Sequence, residues 1–152
     1  MPGIASKLQE LQIVLPEVQP AGNYVPAQRS GNLIYVSGQL PKVEGRIAFK
    51  GRVGKDLNVE SARRAAKACL ANILSVMNQE LGSLDKVKKI VKLTGYINTY
   101  PGFSDHPKVM DAVSEQLVEI FGEAGRHART VVGVVELPFG SSMEMDLIAE
   151  VR

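Results

Sequence analysis

Apolar positions repeat at helical spacing in two long windows of the chain and alternate with polar ones in several shorter windows. The clearest helix runs from about Val59 to Leu81, with Ala62, Ala65, Ala66, Cys69, Ile73, Val76 and Met77 forming its apolar stripe. Arg63, Arg64 and Lys67 lie opposite that stripe, as expected of a helix that covers a sheet. Asn58 is placed to cap it, Glu60 suits its first turn and Gly82 can end it. The window "PGFSDHPKVMDAVSEQLVEIFGEAG" predicts a second helix, capped by Ser104 or Asp105, with Pro107 in its first turn and Gly122 as its stop. Ile4, Leu8 and Leu11 predict a short helix from Ile4 to about Leu15, before Pro16 breaks it.

Period-two patterning places the strands. The chain reads as extended from Tyr24, with "NYVPAQRS" and "NLIYVSG" on either side of a Ser30-Gly31 turn, and Pro26 suits an edge strand. A brief third strand spans Arg46 to Phe49, a long one runs from Val87 to about Thr99, and two more follow at Arg129–Leu137 and Ser142–Val151. The order β-β-β-α-β-α-β-β implies an α+β architecture, with two helices packed on one face of a mixed sheet. In the last strand Met143, Met145, Leu147, Ala149 and Val151 share one face, and Glu144, Asp146, Ile148 and Glu150 share the other. The long central strand carries apolar residues on both alternating faces, which predicts that the face away from the helices is covered by other subunits. Residues 1–19 are read as an N-terminal extension with a short helix, and 20–152 as a single domain.

Composition narrows the functional classes. A chain of 152 residues with 45% hydrophobic residues suits one domain, and a net charge of +2 spread along it argues against a nucleic-acid or anionic-membrane partner. The lysines of "KVKKIVK" read as the solvated part of a strand. The single cysteine, Cys69, excludes an intramolecular disulfide and fits a reducing cytoplasm; among small apolar neighbours it reads as a buried hydrophobe rather than a nucleophile. No segment reaches the roughly 20 apolar residues of a membrane span.

Motif chemistry is sparse. The chain lacks a phosphate-binding glycine loop, a zinc-binding HExxH and paired cysteines, and its two histidines, His106 and His127, suit capping or surface roles better than metal binding. The informative stretch is "GRHARTVVGVVELP", where Arg129 opens a strand face continued by Val131, Gly133 and Val135. Periodicity alone favours a surface arginine; the alternative is an inward guanidinium held for a carboxylate. Glu144 follows across a short turn, and antiparallel pairing of the last two strands would bring it to the same region. An Arg–Glu pair there is either a structural ion pair or an anion grip beside a water-positioning base.

Taken in order, "IYVSGQLP", "VKLTGYI", "HARTVVGVVELP" and "MEMDLIAEV" resemble the Rid family, the YjgF-like imine/enamine deaminases once labelled L-PSP endoribonucleases. The match runs from about Tyr24 to the C-terminus, and "NYVPA" and "FGEAGRHAR" resemble a divergent branch. The resemblance implies a chorismate-mutase-like fold and a homotrimer whose sheets form a central barrel with three intersubunit clefts. It also implies cofactor-free and metal-free hydrolysis of 2-imino or 2-enamino acids to 2-keto acids and ammonia. In that scheme Arg129 holds the carboxylate of a small metabolite, Glu144 positions water, and Tyr24, Ser37 and Gly38 border the pocket. Gly38 would lack a side chain so that the ligand can approach the backbone. Three features depart from the better-known members: Val131 stands where many deaminating ones carry cysteine, Asp111 stands near the cleft where an asparagine is common, and Val25-Pro26 follows Tyr24 where small or polar residues are usual. A non-catalytic trimer that binds a keto or amino acid in the same cleft is the rival expectation, and endoribonuclease activity is the less favoured one.

Overall fold

Asn58 and Gly82 bound the longest helix where the local pattern puts its ends. In the computed structural model, which describes residues 3–152, the Asn58 side chain accepts a hydrogen bond from the Ser61 amide at 2.8 Å. Gly82 closes the helix in the left-handed region at φ 81°, where a Cβ would be strained. In chain order the elements are α1 (Ile4–Glu10), β1 (Ala27–Ser30), β2 (Leu33–Gln39), β3 (Lys42–Val43), β4 (Arg46–Ile47), α2 (Val59–Leu81), β5 (Val87–Asn98), α3 (His106–Phe121), β6 (Ala128–Val134) and β7 (Met143–Val151).

Five strands form one mixed sheet in the order β1-β2-β7-β5-β6, while β3 and β4 make a separate two-stranded hairpin. All neighbours are antiparallel except β5 and β6, which α3 joins as a parallel pair. β7 is therefore flanked by β2 and β5. The antiparallel β6–β7 pairing expected from the short connection does not form, because β5 already occupies that edge of β7. The predicted strand at Arg46–Phe49 is shorter than expected and pairs with β3, outside the main sheet.

The helices α2 and α3 cover one face. Met143, Met145, Leu147, Ala149 and Val151 of β7 are buried beneath them with Ile73, Leu74, Met77, Met110 and Leu117. Each of these Met, Leu, Ile and Val side chains contributes roughly 1.5–3 kcal/mol on burial, and Gly95 lets the Met110 thioether pack directly on β5. Register shifts between Val87 and Lys89 and between Ile90 and Lys92 keep Val87, Ile90 and Leu93 on this covered face despite their three-residue spacing. The other face of β5 consequently carries Lys92, Thr94 and Tyr96 and is more polar than simple alternation predicts.

The N-terminal segment lies on its own chain's helical layer. α1 ends at Glu10, earlier than expected, and Leu8 is buried against the core while Leu11, Ile13, Leu15 and Val18 pack at its margin. The Ile4 amide donates to Asp85 at 2.8 Å, and the Ser75 hydroxyl donates to the Pro16 carbonyl. Among the described residues no helix is long and apolar enough to cross a membrane.

Candidate active site

β2 ends with a register shift against β7 between Val36 and Gln39, so the Ser37-Gly38 backbone bulges towards the β7 residue Glu144. A methyl group on Gly38 would stand 2.9 Å from the Glu144 carboxyl carbon. The missing side chain makes room for Glu144 itself. The Ser37 hydroxyl donates to the Pro26 carbonyl at 2.9 Å, which leaves its oxygen to act only as an acceptor towards anything else. Gln39 donates to the Ser37 carbonyl at 3.3 Å and holds the bend.

Gly38 and Glu144 line a small cavity of about 70 Å³ together with Tyr24, Lys42 and Phe139. That space suits a small solute rather than a nucleotide. Phe139 reaches it from a left-handed backbone at φ 61° and is largely exposed. Lys42 and Phe139 escaped the sequence reading: one lies in a two-residue strand and the other in a turn, neither of which has a periodic signature.

Glu144 shares the open face of the sheet with Tyr96, its register partner on β5, and with Asp146 two residues along β7. The Tyr96 hydroxyl donates to Asp146 Oδ2 at 2.9 Å. Burial pushes the Glu144 carboxyl above its ordinary value, and the neighbouring Asp146 charge adds to the effect. Tyr96 is raised as well, first by burial, then by its bond to Asp146 and the charges of Asp146 and Glu144. A half-buried carboxyl with a raised pKa beside a small cavity can hold a water and exchange a proton with it. Cys69 is fully buried beneath the sheet, where burial and the Glu144 charge raise its thiol pKa well above the ordinary value.

Arg129 lies elsewhere. It opens β6 at the sheet edge and points to the helical side, where its Nη1 donates to Asp111 Oδ1 at 2.9 Å and to Ser114 Oγ at 3.0 Å on α3. Across the sheet it is in register with Leu93 and, through it, Leu147, both on the covered face. Arg129 and Glu144 thus sit on opposite faces with β5 between their strands, and one chain does not bring them together. The predicted residues divide into one group of Tyr24, Ser37, Gly38 and Glu144 and another of Asp111 and Arg129. Beside the second group a cavity of about 290 Å³ is lined by Ser114, Val118, Arg126, His127 and Arg129. Among the described residues no group of three or more His, Cys, Asp or Glu side chains is placed to hold a metal ion.

Comparison with known proteins follows this geometry. The family model described as "YjgF/chorismate mutase-like, putative endoribonuclease" matches residues 5–151. The chain is 42% identical to Protein TCP17 of Trypanosoma cruzi, over 98% of this chain and 94% of that protein. It is 29% identical to a 2-iminobutanoate/2-iminopropanoate deaminase of Dermatophagoides farinae, over 88% and 90% of the two chains. A crystal structure of a protein of unknown function from Agrobacterium tumefaciens superposes with a TM-score of 0.91 at 45% identity, covering 98% of this chain and 92% of that one. Another, from Shewanella oneidensis and carrying the same endoribonuclease description, reaches a TM-score of 0.96 at 34% identity, covering 99% and 100%. Both crystal structures include counterparts of the N-terminal segment.

Proposed function

The chain belongs to the YjgF/chorismate-mutase-like (Rid) family, and from that premise we propose that it hydrolyses small 2-imino or 2-enamino acids to 2-keto acids and ammonia. The observation that carries this reading is Glu144: a half-buried carboxyl with a raised pKa, seated on the bare Gly38 backbone in a small cavity with Tyr24. The similarity to an imine deaminase supports the same chemistry. The site is an intersubunit cleft in a homotrimer, in which Arg129 of one copy grips the substrate carboxylate beside Glu144 of the next. Support for that arrangement comes from the division of the residues into two separated groups and from the position of Arg129 on an edge strand, where a second copy can dock. The open sheet face, with Tyr35 and Val132 substantially exposed, is the surface the central barrel would cover.

Glu144 orients a water towards the imine carbon and accepts its proton as the C–O bond forms. Glu144 returns that proton to the nitrogen to give the carbinolamine, whose hydroxyl proton then passes by way of Glu144 to the amine, so that the C–N bond breaks and ammonia leaves as the C=O bond of the keto acid forms. Imines of this kind hydrolyse unaided, so fixing the carboxylate and the water in one geometry is where the acceleration arises. The residues that do this need no cofactor. The cavity and its single raised carboxyl fit a small acid better than an RNA strand.

One observation favours a second reading, a non-catalytic binder of a keto or amino acid. Arg129 is already engaged by Asp111, whose charge competes with a ligand carboxylate. Ammonia release from freshly generated 2-iminobutanoate separates the two. Acceleration over buffer that Arg129→Ala abolishes supports the enzyme; measurable binding of 2-oxobutanoate with hydrolysis no faster than buffer supports the binder.

A further inference from the structure

Gly125 ends the 3-10 turn that follows α3, and its carbonyl oxygen can only accept a hydrogen bond. His127 Nδ1 lies 2.7 Å from that oxygen, so Nδ1 carries the proton and, in the neutral ring, Nε2 is left as an acceptor. Ser114 Oγ stands 2.8 Å from Nε2 and therefore donates to it. The lone pairs of Ser114 Oγ are then turned towards Arg129, whose Nη1 donates to it at 3.0 Å. Every member of this series has its direction set by the one before, beginning at a main-chain carbonyl. It ends on the guanidinium that lines the 290 Å³ cavity with Arg126.

Asp111 alone would hold Arg129 by a single contact at a half-exposed carboxylate, leaving the guanidinium free to swing. The Ser114 hydroxyl adds a second, differently placed acceptor on the same nitrogen. Nη1 is thereby fixed on the α3 side, while among the described residues Nε and Nη2 make no hydrogen bond and are left for a carboxylate. We propose that Ser114 and His127 are positioning residues for Arg129, setting the guanidinium for a substrate carboxylate. This rests on the reading of Arg129 as the carboxylate grip. Neither residue stood out in the sequence, where His127 suited a capping or surface role and Ser114 gave no signal.

The test is calorimetric binding of 2-oxobutanoate to the assembled protein, alongside KM and kcat for 2-iminobutanoate hydrolysis, in Arg129→Ala, Ser114→Ala, Ser114→Thr, His127→Ala and the Ser114→Ala/His127→Ala double variant. Ser114→Ala is expected to weaken binding and raise KM about fivefold to tenfold with kcat nearly unchanged, since it loosens an anion contact made in ground and transition states alike. Ser114→Thr, which keeps the hydroxyl, should stay within about twofold of the parent, and the double variant should be no worse than Ser114→Ala, because both residues act through one bond. If Arg129→Ala abolishes binding while Ser114→Ala leaves it intact, or the two single effects simply add in the double variant, the positioning role is overturned and the reading of Arg129 survives. If Arg129→Ala itself leaves binding unchanged, Arg129 is not the grip and both fall.

Discussion

The Glu144 carboxylate lies where a Cβ at position 38 would meet it, so that any side chain there must push against the carboxylate end of Glu144. Gly38→Ala must displace either the carboxylate or the β2 bulge. The expected result is a loss of roughly 1–3 kcal/mol in stability, the usual cost of overpacking, with ammonia release falling further than the stability change explains. Chemical denaturation alongside the activity assay checks both, and an Ala variant with unchanged activity would show that the carboxylate's placement is immaterial.

Glu144 also sets a pH dependence. Its folded pKa lies above the ordinary carboxylate value, mainly through burial and then through Asp146. Between the unfolded and folded values the native state therefore holds the extra proton. This group's contribution to stability is complete below the unfolded pKa, near 4.3, and is lost as pH rises through the folded one. Thermal unfolding of Glu144→Gln relative to the parent should show an advantage at neutral pH that shrinks towards pH 4. In the parent protein, ammonia release should rise with pH along a limb centred above the ordinary carboxylate value, and Asp146→Asn should move that limb to lower pH.

Asp111→Asn should act in the opposite direction to Arg129→Ala. The carboxylate at Asp111 neutralises part of the guanidinium it contacts at 2.9 Å. Removing that charge should tighten 2-oxobutanoate binding about twofold to fivefold, in line with the modest worth of a partly exposed ion pair. Weaker binding in Asp111→Asn would mean that Asp111 helps the ligand by holding Arg129 in place more than its charge opposes it.

Two substitutions probe the frame that carries the site. Asn58→Ala removes the α2 cap bond to the Ser61 amide and should cost about 1 kcal/mol. Leu8→Ala, on the terminal helix α1, should cost about 2 kcal/mol, the low end for a buried leucine because α1 packs from one side only. Urea denaturation measures both, and a neutral Leu8→Ala would show that α1 contributes no packing energy.

Elements whose ends coincide with chemical punctuation were legible in the sequence. α2 begins and ends at its cap residues as read, and β7 buries the five alternating residues assigned to its covered face. Strand order was not legible. The four residues Pro138–Ser141 suggested a hairpin between β6 and β7, yet the helical crossover α3 places β6 parallel to β5, which β7 already flanks on its other side. That topological step is why Arg129 and Glu144 were expected together and are found apart. β3 was missed because two residues give no period, so the strand read at Arg46–Phe49 lacked its partner. The Ser114–His127 contact joins a helix to a strand approach, and nothing local signals it.

The central claim is that Arg129 and Glu144 of different copies make one site, and complementation tests it most directly. Arg129→Ala and Glu144→Gln proteins, each inactive alone, are unfolded, mixed in equal amounts, refolded together and assayed for ammonia release from 2-iminobutanoate. Random assembly of a cyclic oligomer should restore about a quarter of the parental sites, those that pair an intact arginine with an intact glutamate. A mixture that co-assembles yet stays as inactive as its parts would contradict the account.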